Sequence, residues 1–139
     1  MLPASEAHQK LLNELAQTVQ AQGGSASLFE ATAVADDKEM IARFISDRQR
    51  EYQEFETRSQ GLLDEVAKEI AAEKFTFAEL EEVEDDLKKL EVWLAKINAR
   101  DFFAGTARTT AQEQLVACDR AVEGFSASVY AADGITGEE

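Results

Sequence analysis

The residue whose type least suits its position in this chain is Arg48. It falls on the stripe Ile41, Ile45, Arg48, Tyr52, Phe55, Ser59 and Leu62, where helical periodicity asks for apolar side chains. A guanidinium there has two uses. Its stem can pack on the neighbours while its head pairs with a carboxylate or emerges at an edge, or the head can receive an anion or a nucleic-acid phosphate. Pairing is the preferred expectation, with a carboxylate or backbone carbonyls at the bundle edge holding the head and a Glu or Asp of the third helix the favoured partner, because buried arginines are normally paired. Tyr52, one turn on, and Arg100-Asp101, closing the next helical pattern, complete the candidate structural or anion-contacting set. Arg100 suits the negative end of a helix, and Asp101 can orient it or cap the turn.

Other chemistries lack their parts. A dinuclear carboxylate site needs inward-facing Glu-x-x-His pairs, and the chain has His8 alone. Glu79, Glu82, Asp86 and Glu91 mostly fall away from the apolar seam beside them and are expected to point to water, so no metal is expected. Cys118 lies between Leu115 and Val122 on another apolar seam and reads as a small core hydrophobe, not a nucleophile. Gly23-Gly24 match no phosphate-binding motif. The expectation is no enzyme, no catalytic residue and no cofactor.

Composition narrows the class further. The 139 residues suffice for one domain with a real core, and an apolar content of 45% argues against wholesale disorder. A single proline among seven glycines favours helices over a sandwich or barrel. With 28 acidic against 14 basic residues the formal charge is −14, which repels phosphate backbones and most simply describes a solvated surface. One cysteine rules out an internal disulfide and fits a reducing cytoplasm. No apolar run reaches the length of a membrane span, and the opening Met-Leu-Pro-Ala-Ser has no signal-like character, so cytoplasmic localisation is expected.

The elements that must position these residues follow from periodicity and caps. Ser5 can cap a first short helix bearing Leu11, Leu12, Leu15 and Val19, which Gly23-Gly24 stop. Residues 25–33 read as a β-strand. Asp36 or Asp37 can cap a long helix over 37–73, with Ile70 extending its stripe and a bend expected, if anywhere, at 57–61 near Gly61. Thr76 and Glu79 form a capping box for a third helix, whose seam is Leu80, Val83, Leu87, Leu90, Leu94 and Ile97. A last helix carries Ala111, Leu115, Cys118, Val122, Phe125 and Val129, with Phe102 and Phe103 locking the intervening loop onto the bundle. The predicted fold is mainly α: an antiparallel helical bundle or hairpin of three long helices, preceded by a short helix and one β-strand. Residues 1–36 form a helix-strand segment, the remnant of an α/β subdomain; 37–131 form the bundle; 132–139 form a frayed tail. A lone strand needs a ladder partner, from the stub at residues 1–3 or from a second chain, so a homodimer is expected.

The order of landmarks resembles the amino-terminal domain of the ChrB family of chromate-resistance regulators. The residues carrying the resemblance begin with Leu2-Pro3, Gly23-Gly24, Ala26 and Phe29, then Phe44-x-x-x-Arg48-x-x-Glu51-Tyr52 and Phe77-x-Glu79-Leu80-Glu81-Glu82. Trp93-Leu94, Arg100-Asp101-Phe102 and the seam from Leu115 to Val129-Tyr130 complete them. The resemblance implies a cytoplasmic, chromate-responsive transcription regulator. It also implies a domain that starts upstream of Leu2-Pro3 and continues into a carboxy-terminal one, so the chain is expected to be a shortened form, touching DNA only with the upstream segment. Two functions stand at this point. One is a regulatory or accessory domain acting in transcriptional control through protein association; the other is an acidic helical scaffold or adaptor with no DNA binding of its own.

Overall fold

The structure, a computed structural model, describes residues 2–137, and the side chains of residues 2–134. The described residues form four helices and no strand: α1 (Glu6–Ala21), α2 (Lys38–Ala71), α3 (Phe77–Arg100) and α4 (Thr106–Gly137). They divide into two compact units, one ending at Glu39 and one starting at Met40.

In the first unit the caps act as the sequence requires. Ser5 accepts a hydrogen bond from the His8 amide at the start of α1. At its end Gly23 takes a left-handed φ of 87°, its amide bonds Gln20 O, and the Gly24 amide bonds Val19 O. That pair of bonds is a Schellman closure. The predicted strand at residues 25–33 does not form. A strand is stable only when its amides and carbonyls meet a ladder, and no described segment offers one. Phe29 stands 86% exposed instead of packing on a sheet face. The expected helix-strand remnant is therefore a helix followed by irregular chain, and the edge-pairing basis for a dimer is removed.

In the second unit three helices share one core. Asp36 accepts from the Lys38 amide to start α2, which runs unbroken through 57–61. Gly61 is tolerated there because propensity costs one residue's worth within a long packed helix. Tyr52, Phe55, Ser59, Leu62, Val66 and Glu69 form its buried stripe at alternating spacings of 3 and 4. Ile70, expected on that stripe, is 44% exposed, because the 3-4 alternation carries the seam through position 69.

The α2–α3 turn closes with a second Schellman pair, Lys74 amide to Glu69 O and Glu73 amide to Ile70 O, and Glu73 holds the left-handed φ of 54°. Thr76 then accepts from the Glu79 amide to begin α3.

All six seam residues of α3 are buried, with Ala111, Cys118, Val122, Phe125 and Val129 of α4. The pairings fix the directions. Phe77, at the start of α3, meets Tyr130 late in α4, so these two helices are antiparallel. Tyr52 meets Asp101 and Phe55 meets Trp93, so α2 opposes α3. Ser59 meets Cys118, a contact for which α2 and α4 run side by side. Phe102 and Phe103 both stack near Phe44, locking the α3–α4 loop to α2 as expected. Helix α4 continues to Gly137 where the sequence predicts a tail from residue 132, since Ala131 and Ala132 favour helix; residues 138 and 139 lie outside the described residues.

Leu94 is 1% exposed and Val92, two residues away, 53%. Leu94→Ala is expected to cost about 2–5 kcal/mol in urea unfolding. Val92→Ala is expected to stay within about 0.5 kcal/mol of the parent. Equal effects would mean that the α3 seam is misplaced.

Candidate functional site

The four residues singled out by sequence come together where α2 passes the end of α3. Arg48 Nη1 donates to the Arg100 carbonyl at 3.4 Å, one of the carbonyls left open at the helix end. Its Nε lies 3.1 Å from Glu51 Oε2, an ion pair whose alignment does not make a hydrogen bond. Arg100 Nη2 donates to the other Glu51 oxygen at 3.0 Å. Glu51 thus bridges two guanidiniums. One turn along, Tyr52 donates its hydroxyl to Asp101 Oδ2 at 2.6 Å, with Asn98 Oδ1 a second acceptor at 3.2 Å. Asp101 is also the C-cap of α3, its amide bonded to Asn98 O.

The sequence predicts a carboxylate or backbone carbonyls at the bundle edge around Arg48, and both are present, but the favoured carboxylate of the third helix is not the one used. The structure supplies Glu51 of its own helix instead, because a glutamate three residues on lies one turn away on the same face. What α3 gives Arg48 is a backbone carbonyl. Glu51, which the sequence reading names only within the family resemblance, and Asn98, which it does not name, complete the cluster. The 48–51 spacing was the available signal for Glu51; Asn98 carried none.

Two guanidiniums and two carboxylates leave this cluster formally neutral. A cleft of about 150 Å³ lies beside it, lined by Ile45, Arg48, Tyr52, Asp101, Phe103 and Thr106 among others. Its contacts latch α2 to the α3 terminus. Burial, and then the hydrogen bond to Asp101, pushes the Tyr52 phenol well above its ordinary value of 10.0, while Arg108 pulls weakly the other way.

The remaining reactive groups follow the same pattern. Cys118 is fully buried, donates its thiol to Ser59 O at 3.3 Å, and is pushed up in pKa by burial, the reverse of an activated nucleophile. Glu82, Asp86 and Glu91 face solvent, whereas Glu79 is half-buried against expectation, because the first turn of α3 folds back over the end of α2. Arg58 lies 5.2 Å from the Trp93 ring centre in a cation–π contact. Among the described residues, no helix is long and apolar enough to cross a membrane.

A family model described as "Protein ChrB, N-terminal" matches residues 1–136. The chain belongs to this ChrB amino-terminal family. No curated protein and no solved structure matches it. Within the ChrB segment that carries the resemblance, Phe44, Arg48, Glu51 and Tyr52 are thus explained structurally: they bind the α3 terminus and its loop to α2.

Tyr52 sets an alkaline limit on stability. A phenol whose folded pKa exceeds its unfolded value contributes full stability below pH 10, and that contribution is lost as pH rises from there toward the folded value. Tyr52→Phe is expected to lower stability by about 1–2 kcal/mol at neutral pH. It should also flatten the stability loss above pH 10 in denaturant titrations. An unchanged alkaline slope would place the phenol outside the latch.

Proposed function

We propose that this chain is a regulatory or accessory domain of a chromate-resistance system, acting in the cytoplasm in transcriptional control through protein association and performing no catalysis. The family match over residues 1–136 carries this reading. The charge supports association over a direct grip on DNA. A net −14 opposes a phosphate backbone, and the two arginines of the cluster are committed to Glu51. Helix α1 supports a protein partner: it buries no residue, and Leu11, Leu15 and Val19 stand exposed one turn apart on one face. A second copy is the partner in this reading, since two-fold pairing closes an apolar face without growing a fibre.

Sedimentation equilibrium tests the association. Two copies bring like charges together, so the dimer is expected to tighten by about tenfold from low to high salt as repulsion is screened. A strict monomer at all concentrations and salts would overturn self-association. A gel-shift titration with the DNA upstream of the operon encoding the chain separates the two functional classes. Sequence-selective, salt-sensitive retardation supports transcriptional control by the chain itself. No retardation at low salt favours an acidic adaptor that reaches DNA only through other proteins.

A further inference from the structure

Glu69 occupies a core position. It is 3% exposed on the buried stripe of α2, and its Oε2 is sealed from solvent without a hydrogen-bond partner. A buried carboxylate in that state is expensive unless something discharges it. No lysine or arginine among the described residues pairs with it, nor with its neighbours Glu65 and Glu79. Those neighbours bring more negative charge: one oxygen each from Glu65, Glu69 and Glu79 lies within 4.8 Å of the others.

We infer that Glu65, Glu69 and Glu79 form a binding site for a hard divalent cation of the Mn²⁺ or Ca²⁺ kind. The donor set is entirely carboxylate oxygen, which suits Ca²⁺, Mn²⁺ and Mg²⁺ and disfavours zinc or copper, whose sites recruit imidazole or thiolate. The span is right as well. Oxygens at opposite sides of a Ca²⁺ ion stand about 4.6–5.2 Å apart, so three oxygens within 4.8 Å need little movement to close on one. Glu65 and Glu69 are one helical turn apart on α2, and Glu79 comes from the first turn of α3 across the Schellman turn. Glu79 stands in the first turn of α3, at the positive end of the helix dipole, where an acidic side chain is well placed. Glu65 and Glu79 are only half-buried, which leaves an entry path and room for water to complete the coordination shell.

The test uses the full chain, stripped with EDTA and titrated with Mn²⁺ while free Mn²⁺ is followed by electron paramagnetic resonance. One Mn²⁺ per chain, displaced by added Ca²⁺ and raising the unfolding temperature, is the expected result. Glu79→Gln and Glu69→Gln should each weaken that binding at least tenfold. Glu81→Gln with Glu84→Gln, two exposed acids of α3 outside the cluster, should leave it unchanged. Should Glu69→Gln fail to fold, Glu79→Gln at the half-buried helix start decides alone. No Mn²⁺ bound at millimolar concentration would overturn the proposal. So would equal binding by Glu79→Gln and the parent, which would assign the ion to the diffuse acidic surface.

Discussion

The α3 seam is the constraint on which everything else in the second unit rests. Leu80, Val83, Leu87, Leu90, Leu94 and Ile97 present a continuous apolar strip, and water can be kept from it only if other helices cover it along its whole length. That requirement decides which faces of α2 and α4 turn inward, while the short connections at 72–76 and 101–105 set their directions. Small residues let the covers come close. Ala111, Cys118 and Ser59 are each fully buried, and the Ser59 hydroxyl satisfies itself on the Glu56 carbonyl. Phe55 and Phe125, also fully buried, fill the wider spaces on either side.

Two clusters of charged side chains mark the two ends of this packing. At one end Arg48 and Arg100 pair with Glu51, Tyr52 donates to Asp101, and Arg48 also reaches the open Arg100 carbonyl of α3. At the other, Glu65, Glu69 and Glu79 gather like charges around the α2–α3 turn. The contrast is physical. At the first end Glu51 faces two guanidiniums and Asp101 accepts from the Tyr52 hydroxyl. At the second, three carboxyl groups converge with no lysine or arginine among the described residues paired to them, and an oxygen of Glu69 is buried without a partner.

Much of this was legible in the sequence because it is local. Ser5, Gly23, Thr76 and the seam of α3 act through neighbours within a turn, so spacing alone places them. Arg48 drew attention as a misfit on its stripe, and Tyr52, Arg100 and Asp101 joined it in space. The strand expected at 25–33 does not form because strand character describes a half-buried surface, and only a ladder partner can make one. Glu69 went unread for a related reason. Hydrophobicity points to Ile70 as the end of the stripe, while the 3-4 alternation from Tyr52 through Val66 points to residue 69. Where a charged residue stands on the apolar register, the register is the better guide.

The solitary, fully buried Cys118 makes this domain its own clock. Its thiol meets the Ser59 carbonyl inside the α2–α4 contact, so a thiol reagent can reach it only after those helices part. With no second cysteine in the sequence, every labelling event reports that one opening. At low reagent the rate of modification measures the open fraction, and at high reagent it levels off at the rate of opening itself. The bundle's internal breathing can thus be timed on the native chain without introducing any probe.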